Sequence, residues 1–532
     1  MTKTKIPYQE TGYFSKLILD YLDENKELKP FYNHSCDIES FNVLIEERKQ
    51  LPIDRSTLVD RLNHQYDNFE LADEVKSNIQ LLNNENCFTV TTGHQLNLFT
   101  GPLYFIYKII STINLAKLLK EKYPENNFVP IYWMATEDHD FGEINHFNLF
   151  GKRYTLDKTQ NGAVGRMKLE GMDELFATLK NDFGDRNNID VIFDFFSKFY
   201  SSEKTYTQAI RGLVNHLFGK YGLVIIDADD AHLKSLIKEE FETELLKRKN
   251  YQLIDATSTK LKEIGFKPQL NPREINLFYL KKDLRERIVF ENDKYKVLNT
   301  ELHFSESEII EELEKYPERF SPNAPMRCIY QEKILPNLAY IGGGGELAYW
   351  LQLKEMFNEN GISFPILVLR NSVLFIDEGA SKRISKLGLT LPELFKDSDH
   401  LIKAYLQNAV GDKLNLTQEK ESVITVFEDI LDKAKVVDNS LEPLAKGELQ
   451  KIIKSLNYIE NRLLKAEKKK QEVQVNQIIN LKSKLFPKGS LQERHDNLIS
   501  IFPSYGKEVI QELINNLYPL DNQFYIFFSI KK

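Results

Sequence analysis

Five ionisable residues lie between Glu137 and Glu143, and His146 follows, in the stretch TEDHDFGEINH. Like charges this close repel one another unless a cation, a ligand amine or a basic side chain lies among them. We expect a hydrogen-bonding pocket for a substrate with amine and hydroxyl groups, in which Asp138 or His139 takes a proton from a nucleophile. A divalent metal held by His139, Asp140 and His146 is the alternative, although this spacing matches no closed zinc signature.

A glycine-bearing loop in TTGHQLNLFTGPLYF (91–105) is a second candidate for ligand binding. Gly93 and Gly101 would let the backbone approach a ligand closely, and His94 and Gln95 would offer hydrogen-bonding groups at a strand end. Unpaired N–H groups at the start of the following helix would attract a phosphate or a carboxylate. A plain strand-to-helix turn is the alternative.

Two further stretches carry glycines or an arginine at predicted strand ends. In YIGGGGELAYW (340–350), Gly342 to Gly345 separate a strand from a helix, which favours either backbone contact with an anionic or flat ligand or close helix packing. Arg370, Asn371 and Ser372 follow another apolar run. There the guanidinium could bind a carboxylate or a phosphate through two hydrogen bonds.

Short apolar runs alternate with helical patterns and supply the elements that would position these residues. Helices are predicted from Leu103 to Lys120 and from Glu346 to Phe357. The predicted strands are Cys87 to Thr92, Phe128 to Ala135, Gly222 to Asp227, Leu338 to Ile341 and Phe364 to Arg370. This order is typical of an α/β fold with a parallel sheet, whose ligands bind at the carboxyl ends of the strands. We therefore expect the polar stretches to line a single cleft at one rim of the sheet.

Two insertions are expected within the core, which we place at residues 1–400. They lie near residues 147–205 and 251–335. The second contains short alternating runs and polar turns from Ile275 to Phe304, a pattern that predicts an antiparallel meander. Both insertions are interpreted as excursions from the parallel sheet.

The C-terminal part of the chain has a different pattern. Between residues 401 and 487 apolar side chains recur at alternating spacings of four and three, which predicts a coiled-coil arm of two antiparallel helices. Pro443 and Gly447 are expected to interrupt the arm. Residues 488–532 are expected to return to the core through a buried strand from Gln523 to Ile530.

Composition excludes several classes of protein. The 532 residues include 70 Lys and Arg against 78 Asp and Glu, and this net charge of -8 disfavours a nucleic-acid partner. Three cysteines at wide spacing fit neither a disulfide framework nor a cysteine-rich zinc module. No secretory leader pattern or long apolar span is present, so we expect a cytoplasmic protein that does not bind a membrane.

Four separated motifs carry a resemblance to a known family. TTGHQLNLFTGPLYFIYKI, PIYWMATEDHDFGEINH and LAYIGGGGELAYW, together with the coiled-coil stretch ending in KLFPKGSLQER, resemble the bacillithiol biosynthesis cysteine-adding enzymes, the BshC family. The resemblance implies a Rossmann-like core with connecting insertions and a coiled-coil arm that supports a homodimer. It also implies that L-cysteine is joined through its carboxyl group to the amine of glucosaminyl malate. An ADP molecule is associated with that family, so the resemblance is compatible with ATP or ADP as a ligand and makes no cofactor certain.

How the cysteine carboxyl group is activated stays open at this point. Amide formation from a free carboxylate is uphill in water, and ATP could activate the acid as an acyl-adenylate. Related nucleotidylyl transferases carry H-x-G-H at the first strand-to-helix turn, whereas the matching stretch here is Phe99-Thr100-Gly101-Pro102. Both histidines are missing. Another activated cysteine donor or another energy source fits these residues equally well.

The resemblance and the strand-end pattern together assign candidate site residues. The predicted catalytic residues are His94, Asp138, His139 and Asp140, and no metal site is predicted. The predicted substrate-binding residues are Gly93, Gln95, Asn97, Gly101, Tyr104, Lys108, Trp133, Glu137, Asn145, Gly343, Gly344, Glu346, Tyr349, Arg370, Asn371 and Ser372. Two other function classes stay open. One is a metal-dependent amino-sugar hydrolase built on His94, His139, Asp140 and His146, and the other is a non-catalytic nucleotide-binding scaffold.

Overall fold

Fifteen strands build four sheets in the part of the chain that the computed structural model describes, namely residues 2–158, 161–183, 189–410, 415–506 and 508–529. In chain order the strands are β1 (Thr2–Pro7), β2 (Cys87–His94), β3 (Asn127–Met134), β4 (His146–Leu149), β5 (Lys152–Thr155), β6 (Val224–Asp227), β7 (Leu277–Lys281), β8 (Leu284–Glu291), β9 (Lys294–Val297), β10 (His303–Phe304), β11 (Phe320–Pro322), β12 (Asn337–Gly342), β13 (Ile366–Leu369), β14 (Ser372–Ile376) and β15 (Gln523–Phe528). The central sheet has the strand order β13-β12-β2-β3-β6.

The central sheet is parallel throughout, which confirms the predicted α/β class. Its five strands are those predicted from the apolar runs, and β2 is buried along its whole length, as expected for a strand covered on both faces. β2 and β3 pair in register up to His94, which lies opposite Met134. Both strands therefore end at the same rim, and the loop with His94 and Gln95 begins beside the loop with Asp138.

Twenty-five α-helices are present in the described residues. In chain order they are α1 (Tyr8–Thr11), α2 (Lys16–Leu22), α3 (Ser40–Lys49), α4 (Arg55–Gln65), α5 (Asp73–Leu81), α6 (Tyr104–Lys122), α7 (Phe141–Ile144), α8 (Met172–Phe183), α9 (Ile189–Ser197), α10 (Tyr206–Phe218), α11 (Ala231–Ser235), α12 (Lys238–Lys247), α13 (Lys249–Glu263), α14 (Glu306–Lys315), α15 (Ala324–Ile334), α16 (Gly344–Trp350), α17 (Lys354–Glu359), α18 (Glu378–Leu387), α19 (Leu391–Leu394), α20 (Ser398–Val410), α21 (Thr417–Val437), α22 (Glu442–Lys470), α23 (Glu472–Leu485), α24 (Leu498–Tyr505) and α25 (Val509–Asn516).

The long helix α6 connects the first two strands of the central sheet. On one face of the sheet Leu115 and Leu119 of α6 belong to the same apolar cluster as Phe88 and Val90 of β2, together with residues of α3. This packing fixes the helix against the strand that precedes it. The first turns of α6 consequently lie beside the carboxyl end of β2.

The predicted helix from Glu346 to Phe357 is interrupted in the structure, which has the two helices α16 and α17 in its place. The residue responsible is Gln352, which lies between them and is fully buried. Its side-chain oxygen accepts the N–H groups of Gln269 and Leu270, both at 2.8 Å, and its amide nitrogen donates to the Leu270 carbonyl at 3.0 Å. A polar side chain used to anchor a distant segment therefore ends the first helix.

The coiled-coil arm consists of α21 and α22. The helices run antiparallel, because Lys420 early in α21 pairs with Glu460 late in α22 at 2.7 Å. Helix α22 begins at Glu442, so Pro443 lies in its first turn, where the missing N–H is tolerated, and Gly447 lies inside the helix. The predicted arm is confirmed, whereas the interruption falls before Glu442 and not at Pro443 and Gly447.

Three smaller sheets lie outside the central one. The order β10-β9-β8-β7-β11, with antiparallel pairing throughout, confirms the predicted meander from Ile275 to Phe304, and β4 and β5 form a hairpin. Strand β15 lies between β1 and β14, and Ile530, the last residue of the strand predicted there, is outside the described residues. Among the described helices none is both long and apolar enough to cross a lipid bilayer.

Candidate functional site

A cavity of about 570 Å³ lies at the carboxyl ends of β2 and β3. Its walls come from the ends of these strands, from the first turns of α6, from β12 and α16, and from the meander and α15. A cavity at this rim of a parallel sheet is where α/β proteins bind ligands. The elements that meet there are widely separated in the sequence, which is typical of a site assembled by the fold.

Many of the predicted site residues line this cavity, and others do not. Those in its wall are Gly93, His94, Gln95, Tyr104, Lys108, Trp133, Glu137, Asp138, His139, Glu346 and Tyr349. Those outside the wall are Asn97, Gly101, Asp140, Asn145, Gly343, Gly344, Arg370, Asn371 and Ser372. The expected single cleft therefore contains the ends of β2 and β3 but not the end of β13.

Arg370 lies outside the wall because another part of the chain neutralises it. Its Nη2 donates to Oε1 of Glu493 at 2.6 Å, and both side chains are almost completely buried. Its Nη1 donates to the Asn371 carbonyl at 2.9 Å and to Oγ of Ser372 at 3.1 Å. The guanidinium that we expected to bind a ligand anion is thus part of an internal ion pair.

The predicted anion site at the start of α6 is covered by the C-terminal segment. The Leu103 N–H donates to the Asp496 carbonyl at 2.9 Å, and Nδ2 of Asn497 donates to the Gly101 carbonyl at 2.9 Å. Gly101 has φ +58°, and a Cβ there would lie 2.5 Å from Cβ of Asn97. The glycine is therefore required by the shape of this buried loop and not by close approach of a ligand.

At Gly93, the missing side chain lets Arg327 and Tyr340 approach the backbone of β2 closely. A Cβ at this position would lie 3.3 Å from Nη1 of Arg327 and 3.3 Å from the hydroxyl of Tyr340. The absence of a side chain lets the arginine lie against the end of β2. This arginine was not among the predicted site residues.

Lys108 and Glu346 form an ion pair in the cavity wall. Nζ of Lys108 lies 2.5 Å from Oε2 of Glu346 and donates to the Gly93 carbonyl at 2.8 Å. Glu346 also accepts the Tyr340 hydroxyl at 2.7 Å and the Gly343 N–H at 2.9 Å. Burial by itself would raise the pKa of Glu346, but Lys108 and these hydrogen bonds lower it to about 2. The pair is therefore ionised and adds no net charge to the wall.

The acidic residues after β3 have different roles. Glu137 forms an ion pair with the fully buried Lys234, so its charge is already neutralised. Asp140 is the N-cap of α7 and accepts the Glu143 N–H at 3.2 Å. Asp138 faces the cavity, where Oδ2 accepts from Nε2 of Gln95 at 3.2 Å. Among these three carboxylates, Asp138 is the one placed to accept a proton from a ligand.

The hydrogen bond between His139 and Arg285 determines which tautomer of the neutral imidazole fits the site. Nδ1 of His139 lies 2.8 Å from Nη1 of Arg285. An arginine can only donate, so Nδ1 must accept and the ring proton of the neutral imidazole lies on Nε2. In this arrangement His139 offers its Nε2 donor to the cavity.

His94 contributes mainly its ring surface to the cavity wall, where it packs against aromatic side chains. Its ring stacks on Phe105 at 4.9 Å, contacts the edge of Tyr104 at 5.3 Å, and has no hydrogen-bond partner for Nε2 among the described residues. Burial, followed by the charge of Lys108, lowers the pKa of His94 to about 3. The imidazole is therefore neutral across the physiological range.

This lowered pKa predicts a specific dependence of stability on pH. The unfolded chain protonates His94 near pH 6.5, whereas the folded chain does so only near pH 3, so stability falls as the pH drops between these values. We expect protonation of His94 in the unfolded chain to lower the free energy of unfolding by about 2 kcal/mol between pH 7 and pH 5. Urea unfolding of the wild type and of His94→Phe at both values should show a smaller loss in the variant. Equal losses would contradict the neutral assignment.

Two arginines in the wall were missed by the sequence analysis. Arg285 stacks over the ring of Phe278 at 3.9 Å and donates to Oγ of Ser321 at 3.0 Å. Arg327 donates to the hydroxyl of Tyr349 at 3.1 Å. Among the described residues neither arginine forms an ion pair with a carboxylate. Both lie in the segment interpreted as an insertion, and no motif there marked them as ligand-binding.

The metal constellation considered above does not assemble. Within the described ranges, no group of three histidine, cysteine, aspartate or glutamate side chains is arranged to hold a metal ion. His94 stacks on Phe105, His139 binds Arg285, and Nδ1 of His146 lies 3.2 Å from Oδ1 of Asn145. The geometry gives no support to the metal-dependent hydrolase.

Comparison with known proteins places this chain in a family. Residues 1–371 match the model described as "Bacillithiol biosynthesis BshC, N-terminal Rossmann-like domain", and residues 373–529 match "Bacillithiol biosynthesis BshC, C-terminal coiled-coil domain". A curated relative from Flavobacterium johnsoniae is 47% identical over 523 residues and covers 98% of each chain. One from Flavobacterium psychrophilum is 48% identical over 524 residues, with 98% of each chain covered.

A more distant relative comes from Bacillus anthracis and is 27% identical over 513 residues, which is 94% of this chain and 95% of that one. All three relatives carry the name "Putative cysteine ligase BshC". The resemblance stated from the four motifs is thereby confirmed, and so is the two-part architecture of a Rossmann-like core and a coiled-coil region. The chain belongs to the bacillithiol biosynthesis family BshC, a family of enzymes whose curated members are named as cysteine ligases.

Proposed function

We propose that this chain joins the carboxyl group of L-cysteine to the free amine of glucosaminyl malate in bacillithiol biosynthesis. The names of the relatives support the reaction class, a cysteine ligation. The cavity at the ends of β2 and β3 supports the substrate classes, because it combines cationic groups with one available carboxylate. These two kinds of support are independent of each other.

The observation that carries the proposal is the pair of arginines without a carboxylate partner. Arg285 and Arg327 both line the cavity, and neither is in an ion pair among the described residues. The malyl unit of glucosaminyl malate carries two carboxylates at neutral pH. A charge-assisted hydrogen bond from a guanidinium to a carboxylate is among the stronger ones that proteins form. We assign both arginines to the carboxylates of the malyl unit.

The reacting groups would lie beside Arg285, because Nδ1 of His139 lies 2.8 Å from Nη1 of Arg285 and 3.6 Å from Oδ1 of Asp138. In the proposed step the amine nitrogen attacks the carbonyl carbon of activated cysteine, the new C–N bond forms, the activating group leaves, and Asp138 accepts the amine proton. Gln95 holds the carboxylate of Asp138 in place through its Nε2. His139 donates from Nε2 to a sugar hydroxyl. The activating group is ATP-derived or belongs to another activated cysteine donor.

A second copy of the chain is the partner that we propose for the arm. Apolar side chains on the surface of α21 and α22 are exposed in the single chain, among them Val426, Ile430, Leu444 and Ile459. A second arm packed against this surface would bury them. This would produce a homodimer with the two catalytic cavities on separate cores.

Binding of glucosaminyl malate to arginine variants tests the proposed site. We expect Arg327→Gln to weaken the affinity measured by titration calorimetry by about 10- to 100-fold, because one charge-assisted hydrogen bond is lost. Arg153→Gln is the matched control, since Arg153 is exposed and outside the cavity. Wild-type affinity in both Arg327→Gln and Arg285→Gln would contradict the assignment of the cavity to the malyl carboxylates.

A further inference from the structure

We infer that Gln331 and Glu332, which lie behind the cavity wall, hold Arg327 in place and keep it free of any carboxylate except that of the substrate. They would act as positioning and specificity-determining residues. This inference rests on the proposed function, because it takes Arg327 to be a substrate-binding group. It goes further by naming residues that touch no ligand and that decide how strongly the cavity attracts an anion.

Arg327 is held by a neutral acceptor. Its Nη1 donates to Oε1 of Gln331 at 3.1 Å, one turn further along α15. Its other hydrogen bonds go to the hydroxyl of Tyr349 at 3.1 Å and, weakly, to Sγ of Cys328 at 3.6 Å. All three acceptors are uncharged. The guanidinium is therefore fixed in position while its full positive charge stays available to a ligand.

Glu332 determines which way the amide of Gln331 points. Oε1 of Glu332 accepts from Nε2 of Gln331 at 2.8 Å and from Nδ2 of Asn337 at 2.7 Å. Oε1 of Glu332 is an acceptor both in the carboxylate and in a carboxyl group protonated on the unpartnered Oε2, so both amides turn their NH2 groups towards it. Asn337 is fixed in that orientation because its Oδ1 accepts the hydroxyls of Thr89 and Thr91. With its NH2 group on Glu332, Gln331 must present its oxygen to Arg327.

The burial of Glu332 argues for a role beyond packing. Its side chain is completely buried, Oε2 has no hydrogen-bond partner among the described residues, and no described basic side chain forms an ion pair with it. Burial raises the pKa of Glu332 to about 7, against the opposing effect of Arg48. A carboxyl group in such a place is destabilising, whereas an apolar residue would not be. Fixing the orientation of the Gln331 side-chain amide would give Glu332 such a role.

The order of the two residues along the chain is the critical feature. Gln331 contacts Arg327, and Glu332 contacts Gln331. If the order were reversed, a carboxylate would lie directly on the guanidinium. The internal ion pair would then compete with the substrate, as Glu493 does at Arg370. The structure thus contains one cavity arginine with a neutral partner and one core arginine with a charged partner.

The double variant Gln331→Glu/Glu332→Gln tests this order. It keeps the same atoms and the same net charge, and it moves the carboxylate from position 332 onto Arg327. One hydrogen bond at position 332 is lost, because Oε1 of Glu332 accepts from both Gln331 and Asn337 and an amide cannot serve both. We expect the dissociation constant for glucosaminyl malate, measured by titration calorimetry on the full chain, to rise at least about tenfold. In the Arg327→Gln background the same double change should have no further effect on affinity, because the effect acts through Arg327.

Each outcome decides between the alternatives. Wild-type affinity in the double variant overturns the inference, and so does an equal loss of affinity with and without Arg327. A wild-type chain that binds no glucosaminyl malate overturns the proposed function itself. If the double variant does not fold, Gln331→Met replaces it. Loss of the hydrogen bond that holds the Arg327 guanidinium should then weaken binding about two- to tenfold, and unchanged affinity overturns the inference.

Discussion

Asp138→Asn should lower the rate of product formation at least about 100-fold, the scale of a lost general base. The asparagine keeps the shape of the residue, and its oxygen can still accept the His139 N–H that Oδ1 accepts at 2.7 Å. It cannot take a proton from the attacking amine. The measurement is formation of the thiol product from cysteine and glucosaminyl malate by the variant and the wild type at equal concentrations.

Asp140→Asn is the matched control for this experiment. Asp140 lies two residues further along, outside the cavity wall, and caps α7. Asparagine is as good an N-cap as aspartate, so the fold should not change. We expect near wild-type turnover. Equal losses in the two variants would show that the acidic stretch acts as a unit, and wild-type turnover in Asp138→Asn would remove the base from the proposed mechanism.

Glu493→Gln should be the most destabilising single change considered. It would leave the buried guanidinium of Arg370 without its charged partner, and breaking a buried ion pair in this way costs about 3–5 kcal/mol. Glu493 also accepts the Val373 N–H at 3.2 Å, so it ties the C-terminal segment to β14. The free energy of unfolding, measured with urea, should fall by that amount.

An exposed ion pair supplies the comparison for Glu493→Gln. Glu39 pairs with Lys122 at 2.9 Å, and both side chains are largely in solvent. Exposed pairs contribute little to stability, so Glu39→Gln should leave the unfolding midpoint unchanged. A small effect of Glu493→Gln, similar to that of Glu39→Gln, would contradict the internal ion pair and return Arg370 to the set of candidate ligand-binding groups.

The parallel sheet could be predicted because its strands are buried on both faces and therefore read as unbroken apolar runs. The same reasoning located the ends of β2 and β3, and with them His94, Gln95 and Asp138. The helix break at Gln352 could not be predicted, because it depends on backbone N–H groups more than 80 residues earlier. A local pattern contains no information about such a partner.

The arginines of the site also depend on partners that are distant in the sequence and that a local pattern cannot reveal. Arg370 was expected to be a ligand-binding group, and its partner Glu493 lies 123 residues further along the chain. Arg285 and Arg327 were missed, since the meander and α15 carry no motif and reach the cavity only through the fold. Which arginine is neutralised and which stays available is decided by tertiary contacts. Residue type and spacing alone cannot distinguish the two cases.

In the proposed function this chain forms the amide bond between cysteine and glucosaminyl malate. The most direct measurement uses a cell extract depleted of the protein, supplied with both substrates, with and without ATP, and assayed for the thiol product. We expect product formation to stop on depletion, to return with the wild-type chain and not to return with Asp138→Asn. Continued synthesis in the depleted extract, or no recovery with the wild-type chain, would contradict the proposed function.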